Sequence, residues 1–135
     1  MAKKLKKGIK DLVAEAEAAI KTISLEDAIK RHGDDDLVFV DIRDVRELER
    51  DGTIPGAVHA PRGMIEFWFD PESPYHKDYF GHEDKTYVLY CAAAWRSALA
   101  TKTLQDMGFD NVAQFASGFK AWKEAGGPVV EKEKK

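Results

Sequence analysis

The chain has 135 residues, of which 44% are hydrophobic and 33% are charged, and its formal net charge is −3. This is the composition of a globular protein of about one domain, and it excludes disordered, collagen-like and low-complexity chains. The small negative charge argues against nucleic-acid binding, which requires a clear basic excess. The single cysteine, Cys91, excludes an intramolecular disulfide, a thiolate zinc cluster and a paired redox dithiol.

The distribution of apolar residues predicts a cytoplasmic protein. No apolar run approaches the roughly 18 residues that a membrane-spanning helix needs. The first twenty residues are rich in lysine but contain no hydrophobic region of the kind that a signal peptide carries. We therefore expect a domain that contacts neither membrane nor nucleic acid.

The first predicted element is an amphipathic helix in an N-terminal extension. Apolar residues between Ile9 and Ile23 recur at helical spacing, which predicts a helix that packs on the flank of the domain. Acidic residues interrupt its basic face, and this argues against a membrane anchor. We assign residues 1–21 to the extension, residues 22–130 to the folded domain and residues 131–135 to a frayed tail.

The rest of the chain alternates between predicted helices and strands. Ser24, with Asp27 three positions later, resembles a capping box and predicts a short helix that runs to Arg31. Apolar runs predict strands covered on both faces, and helical patterns lie between or after them. The predicted strands cover residues 37–42, 57–60, 87–90 and 112–115, and the helices cover residues 45–50, 96–107 and 118–124. This alternation predicts an α/β domain with a mainly parallel sheet, in which ligands bind at the carboxyl ends of the strands.

A long aromatic segment, residues 66–84, interrupts this alternation. A connection of this length is either a functional loop or a small packed excursion. We favour the second interpretation, in which its aromatic side chains complete the core.

The residues best placed for chemistry lie between the strand at residues 87–90 and the helix that follows it. Cys91 ends the strand and Arg96 begins the helix. The loop amides and the helix dipole favour an anion there, and the same field favours the reactive thiolate form of cysteine. Because a cation in the first turn opposes the dipole, Arg96 is best explained by an anion between it and the amides. The alternatives are a buried structural thiol and an Arg96 side chain in solvent.

At these residues the sequence resembles the rhodanese-like family of single-domain sulfurtransferases. The active-site loop of that family is a cysteine, four residues and an arginine, followed by a helix, as in Cys91 through Arg96. Three further segments resemble family signatures: the strand end at Asp41 to Arg43, the turn at residues 51–57 and the closing segment at residues 118–122. The resemblance extends from about residue 23 to residue 128 in the order and spacing of the family.

The sequence departs from the family pattern at three places. Thr53 replaces the usual histidine of the turn and Ser117 replaces the first glycine of the closing pair, and we interpret both as structural changes. The catalytic loop contains alanines and Trp95 where the family often has glycine. Since a residue with a Cβ atom adopts a positive φ less readily, this difference bears on rate and specificity more than on reaction type.

The resemblance implies a three-layer fold, with a mainly parallel five-stranded central sheet flanked by helices, and it implies sulfur transfer. Cys91 would take sulfane sulfur from thiosulfate or a similar small anionic donor and pass it, through a persulfide, to a thiol or cyanide. The residues implied in substrate binding are those of the loop: Ala92, Ala93, Ala94, Trp95 and Arg96. No metal and no organic cofactor is implied, and the sequence identifies no protein partner.

Three more residues are candidates for support of this site. Asp41 and Arg43 end a neighbouring predicted strand, and we interpret them first as an ion pair that orients the turn. Arg62 follows Pro61 and either faces the pocket or lies on the surface.

Two other functions are compatible with part of the sequence. Cysteine phosphatases, like arsenate reductases, use the same strand–loop–helix arrangement, but with five residues between cysteine and arginine, where this loop has four. A non-catalytic module that binds a partner through the aromatic segment would need neither Cys91 nor Arg96. Formation of a persulfide on Cys91 separates the three hypotheses.

Overall fold

In the computed structural model, which describes residues 2–132, five strands form one parallel sheet. The strands are β1 (Thr22–Ile23), β2 (Leu37–Asp41), β3 (Val58–His59), β4 (Thr86–Tyr90) and β5 (Val112–Phe115). Their order is β1-β5-β4-β2-β3, and every neighbouring pair is parallel. The predicted five-stranded parallel sheet is thus confirmed, and β4 is its central strand.

Helices cover both faces of the sheet. They are α1 (Ile9–Ala19), α2 (Leu25–Lys30), α3 (Val45–Asp51), α4 (Ile65–Phe69), α5 (Trp95–Asp106) and α6 (Gly118–Glu124), and a short 3-10 helix (Arg62–Met64) precedes α4. Local signals set several of the helix starts. As the sequence predicts, the Ser24 hydroxyl accepts a hydrogen bond from the Asp27 N–H at 3.1 Å and caps α2. The return bond from the Ser24 N–H to the Asp27 side chain, which would complete the predicted capping box, is absent among residues 2–132.

Two clusters of buried hydrophobic residues lie between the sheet and the helices, one on each face of the sheet. The fold therefore has the predicted three layers. Since successive residues of a strand point to opposite faces, Leu89 and Cys91 lie on one face and Tyr90 lies on the other. The first face packs against α4 and α5. The second packs against α2 and α6, where Trp122 is fully buried.

The N-terminal helix packs on the outside of α5. Val13 and Ala16 are buried against Ala98, and the Gln105 side chain donates a hydrogen bond to the Ala19 carbonyl at 2.8 Å. The apolar residues recur at helical spacing as far as Ile23 in the sequence. The helix itself is shorter, because α1 stops at Ala19 and Ile23 lies in β1. A strand of two residues is too short to show a periodicity of its own.

The aromatic segment, residues 66–84, contributes only part of its aromatic side chains to the core. Phe69 and Phe80 are buried and stack with their ring centroids 4.4 Å apart. Phe67, Tyr75 and Tyr79 are exposed. Trp68 is partly buried and packs against the same core cluster. The prediction that the aromatic side chains of this segment complete the core is therefore correct for Phe69 and Phe80, correct in part for Trp68, and wrong for the three exposed residues.

The C-terminal end of the described chain is tied to the turn that precedes β3. Thr53 and Val130 exchange two backbone hydrogen bonds, both of 2.9 Å. The tail predicted at residues 131–135 lies partly outside the described residues, which end at 132. Within residues 2–132, no helix combines the length and the apolar character that membrane crossing requires.

Candidate active site

Cys91 lies at the carboxyl end of the central strand, where the sequence places it. Its side chain is buried, with 1% of its surface exposed. The backbone N–H of Ser97, in the first turn of α5, donates to the Cys91 Sγ atom at 3.4 Å. The Ser97 Oγ atom lies 3.6 Å from the same sulfur. The helix N-terminus therefore contacts the sulfur directly.

The loop between Cys91 and α5, together with the first two residues of that helix, presents a row of backbone donors. Within residues 2–132, the backbone N–H groups of residues 92–96 donate to no protein acceptor. Consecutive backbone N–H groups that lack acceptors and adjoin a helix N-terminus form a cradle for an anion. The sequence predicted such a cradle at these residues.

The turn in this loop requires one residue in the left-handed region. Ala94, the residue before α5, has φ of +71°. For a residue with a Cβ atom this conformation costs roughly 1–2 kcal/mol, so the surrounding contacts must hold it. Ala94 thus adopts a positive φ that a glycine at this position would adopt more readily.

The N-terminus of α6 contacts the first residues of this loop. The Phe119 and Lys120 N–H groups donate to the carbonyls of Cys91 and Ala92, at 2.8 and 3.2 Å. Gly118, with φ of +76°, comes so close to the loop that a Cβ atom on it would lie 2.5 Å from the Ala92 carbonyl oxygen. The closing segment of the sequence therefore anchors the loop at its Cys91 end.

Arg96 makes an ion pair that the sequence analysis missed. Its Nη1 and Nη2 atoms donate to the two carboxylate oxygens of Glu47, at 2.8 and 3.0 Å. These hydrogen bonds hold the pKa of Glu47 below its ordinary value and the pKa of Arg96 above its own. The sequence carried only a local signal for Glu47, its position three residues after the helix-capping Asp44.

Asp41 and Arg43 form a buried ion pair beside the loop. Arg43 donates from Nε and Nη2 to the Asp41 carboxylate, at 2.9 and 2.8 Å, and both residues are at most 1% exposed. Nη2 also donates to the Gly52 carbonyl at 2.7 Å, and the guanidinium carbon lies 4.2 Å from the centre of the Phe119 ring. Burial alone would lower the pKa of Arg43, but the hydrogen bond and charge of Asp41 hold it above its ordinary value. The pair joins the end of β2 to the turn after α3.

Thr53 extends this pair towards the central strand. Its hydroxyl donates to the Asp41 carboxylate at 2.8 Å and lies 2.8 Å from the hydroxyl of Tyr90. Burial and, to a smaller degree, the charge of Asp41 raise the pKa of Tyr90, which therefore stays neutral. Thr53, which replaces the usual family histidine, thus serves as a hydrogen-bonding link next to the residue that precedes Cys91.

The structure does not bring every candidate residue to the sulfur. Arg62 lies in the short 3-10 helix with an exposed side chain, and its backbone N–H donates to the Ile42 carbonyl at 3.1 Å. Trp95, the residue before Arg96, is 48% exposed. Trp95 is therefore a surface residue at the start of α5.

Ser97 and Gln114 are two further residues that the sequence analysis did not identify. Both are buried, and the Ser97 hydroxyl donates to the Gln114 Oε1 atom at 2.7 Å. The Gln114 amide in turn donates to the Thr22 hydroxyl at 3.3 Å. A buried glutamine inside a predicted apolar strand was the one available signal, because a buried amide needs partners.

A cavity of about 530 Å³ touches the loop at Ala92 and extends between α3 and α6. Its charged lining includes Arg50, Asp51, Lys120 and Lys123. Among residues 2–132 there is no cluster of three or more His, Cys, Asp or Glu side chains that could hold a metal ion.

The family model of the rhodanese-like domain matches residues 24–125 of the sequence. The chain belongs to the rhodanese-like family. The match leaves α1 outside its range and includes all of the loop and helix elements around Cys91.

Two solved structures illustrate the similarity of this rhodanese-like protein to others. A protein of Rhodopseudomonas palustris, described as "Possible Tyrosine Phosphatase", is 53% identical with a TM-score of 0.92, over 96% of this chain and 99% of that one. The polysulfide-sulfur transferase homodimer of Wolinella succinogenes is 30% identical with a TM-score of 0.68, over 92% and 88% of the two chains.

A relative from Bacillus subtilis, named "Putative sulfur carrier protein YrkF", is 32% identical over 111 residues. The match covers 81% of this chain and 54% of that protein. The rhodanese-like chain thus spans about half the length of this relative.

Proposed function

We propose that this rhodanese-like protein is a sulfurtransferase that carries sulfane sulfur on Cys91. The donor is thiosulfate or a similar small sulfane compound, and the acceptor is a thiol or cyanide. The observation that carries the proposal is the set of N–H groups at residues 92–96 that have no acceptor in the described part of the chain, beside a sulfur that already accepts the Ser97 N–H. The names of the Wolinella and Bacillus proteins support the same chemistry.

In the first step the Cys91 thiolate attacks the outer sulfur of thiosulfate. A new S–S bond forms to Cys91, the S–S bond of thiosulfate breaks, and sulfite leaves with the bonding electron pair. Sulfite needs no proton to leave, so the step requires no general acid. In the second step the acceptor attacks the outer sulfur of the persulfide and restores the Cys91 thiolate.

The loop stabilises the charge that moves through these steps. The persulfide places a negative sulfur within the row of N–H groups, and the helix dipole of α5 favours that charge. Because donors held in place before the reaction need no reorganisation, the fixed loop lowers the barrier for both transfers. The contacts of α6 with the Cys91 and Ala92 carbonyls keep the loop in this geometry.

Phosphate-ester hydrolysis is the second candidate function, because the 53% identical Rhodopseudomonas protein is described as a possible tyrosine phosphatase. Four residues separate Cys91 from Arg96, whereas cysteine phosphatases have five. A shorter loop leaves a smaller cradle, which suits one sulfur better than a phosphoryl group. This difference favours sulfur transfer.

Mass spectrometry of the intact protein after incubation with thiosulfate tests the proposal. We expect one added sulfur, its loss on addition of cyanide with formation of thiocyanate, and neither result with Cys91→Ser. Hydrolysis of p-nitrophenyl phosphate, measured on the same samples, should stay at background. A phosphatase rate that depends on Cys91, without persulfide formation from any sulfane donor, would establish the second candidate; no Cys91-dependent reaction would indicate a non-catalytic module.

A further inference from the structure

The fork of the Arg96 guanidinium is already occupied by a carboxylate of the same chain. Both terminal nitrogens of Arg96 donate to Glu47, at 2.8 and 3.0 Å. A paired, planar contact of this kind is the geometry in which arginine binds an oxyanion. An anionic donor at this loop therefore meets an arginine whose charge is balanced.

A second hydrogen bond, at the start of its own helix, also holds the Glu47 carboxylate. Glu47 is the third residue of α3, and its Oε2 atom also accepts the backbone N–H of Asp44 at 3.0 Å. This second hydrogen bond stabilises the position of the carboxylate at the start of the helix.

Neighbouring arginines do not restore the positive charge. Arg43 is paired with Asp41, and Arg50 is paired with Asp51. Lys120 and Lys123 line the cavity that touches the loop at Ala92, at the opposite end of the loop from Arg96. The Arg96 end of the loop thus carries a balanced charge.

We propose that Glu47 is a specificity-determining residue, which disfavours donors with a doubly charged leaving group and favours donors whose leaving group carries no fixed charge. The inference rests on the proposed sulfur transfer. Thiosulfate brings two negative charges and releases sulfite, so Glu47 repels it in the bound state and in the transition state. A small alkyl persulfide brings at most one negative charge, and none in the form R–S–SH, so Glu47 repels it less than it repels thiosulfate.

The persulfide reaction balances without a further reactant. The Cys91 thiolate attacks the outer sulfur of R–S–SH, the new S–S bond forms and the old one breaks. The alkyl thiolate leaves with the electron pair and takes the proton from the Cys91 persulfide, which is left as the anion in the loop.

The test compares rate constants for persulfide formation on Cys91 from thiosulfate and from 2-hydroxyethyl persulfide, measured by mass spectrometry without an acceptor. For Glu47→Gln we expect a roughly tenfold higher rate constant with thiosulfate and a change below about twofold with the alkyl persulfide. The gain should shrink at high ionic strength, since Glu47 is partly exposed and salt screens its repulsion of the donor. Glutamine retains an acceptor for the Asp44 N–H, so α3 keeps its cap.

Glu49→Gln is the matched control, because it removes the same charge from the same helix without a contact to Arg96. We expect it to change neither rate constant. Glu47→Asp keeps the charge, and we expect it to keep the discrimination against thiosulfate.

An equal loss with both donors in Glu47→Gln would show that Glu47 only positions Arg96, and would overturn the inference. Unchanged rates with both donors would overturn it as well. In either case, persulfide formation by the parent protein would leave the proposed function standing. Failure of the parent protein to react with either donor would instead overturn the proposed function, and the inference with it.

Discussion

The hydroxyl of Ser97 donates to the Oε1 atom of Gln114 at 2.7 Å, and both residues are buried in the core. The same hydroxyl oxygen lies 3.6 Å from the Cys91 sulfur, within reach of a thiol S–H donor. When Cys91 loses its proton, that S–H donor is gone. The Ser97 hydroxyl is then placed to turn from Gln114 to the charged sulfur.

Replacement of Ser97 by alanine removes this donor while the backbone N–H to the sulfur remains. A hydrogen bond to a charged group contributes about 1.5–3 kcal/mol, so we expect Cys91 in Ser97→Ala to react about tenfold more slowly with iodoacetamide at neutral pH. The free energy of unfolding should also fall, by about 1–3 kcal/mol, because Gln114 loses its partner. Thr101→Val is the control on the same helix, since the buried Thr101 hydroxyl has no partner among residues 2–132. Equal alkylation rates for Ser97→Ala and the parent would contradict the assignment.

Gly118→Ala tests whether α6 maintains the geometry of the loop between Cys91 and α5. Gly118 and Gly56 have similar positive φ values, +76° and +81°, so alanine strains the backbone equally at both positions. At Gly118 the added Cβ atom would also lie 2.5 Å from the Ala92 carbonyl oxygen, whereas nothing lies within 4 Å at Gly56. We expect thiosulfate turnover to fall more than tenfold in Gly118→Ala and to change little in Gly56→Ala. Comparable activities in the two variants, measured with cyanide as acceptor, would show that the close contact is dispensable.

The buried ion pair between Asp41 and Arg43 should matter more to stability than exposed pairs do. Asp41→Asn leaves the Arg43 charge buried without its carboxylate, and loss of one partner of such a pair costs about 3–5 kcal/mol. Asp51→Asn makes the same chemical change in the exposed pair with Arg50, and we expect little effect on stability. Urea denaturation of the parent and of both variants measures the two changes in the free energy of unfolding. Similar midpoints for both variants would mean that solvent reaches Arg43.

The contribution of Glu47 to stability should disappear in acid. The hydrogen bond from Arg96 holds the pKa of Glu47 below its ordinary value of 4.5. A carboxyl group whose pKa is lower in the folded state adds stability that is fully present above its unfolded-state pKa. That stability is lost as the pH falls through the folded-state pKa. Because Arg96 is partly exposed, screening by solvent limits the contribution to about 1 kcal/mol.

Thermal unfolding of the parent and of Glu47→Gln at a series of pH values tests whether the contribution of Glu47 to stability is lost in acid. The parent should have the higher midpoint at neutral pH, by a few degrees, and the two midpoints should converge as the pH falls below 4.5. If the difference between the two midpoints stays constant or widens in acid, the charge of the Glu47 carboxylate is not its cause. Asp44, whose pKa is lowered to about 2 chiefly by its hydrogen bonds with Arg46, retains its charge over most of this range in both proteins.

Several parts of the fold follow from short stretches of sequence. The helix start at Ser24 depends on an acceptor three residues before its donor, and the central strand depends on a run of five apolar, β-branched or aromatic residues. Such signals involve neighbours in sequence, so they can be read without the fold. The two-residue strand β1 has no such signal, because it forms only when β5 is there to pair with it.

The sequence by itself determined the strand–Cys91–loop–helix unit, because alternation of strand and helix and the spacing of Cys91 and Arg96 are local properties. Only the tertiary structure decided the partners of that unit. Glu47 is 49 residues from Arg96, and Gln114 is 17 residues from Ser97. They meet because the sheet order places β4 between β2 and β5, which brings the ends of all three strands to one edge. Which carboxylate reaches an arginine across that edge depends on strand order and helix packing, and no local pattern encodes it.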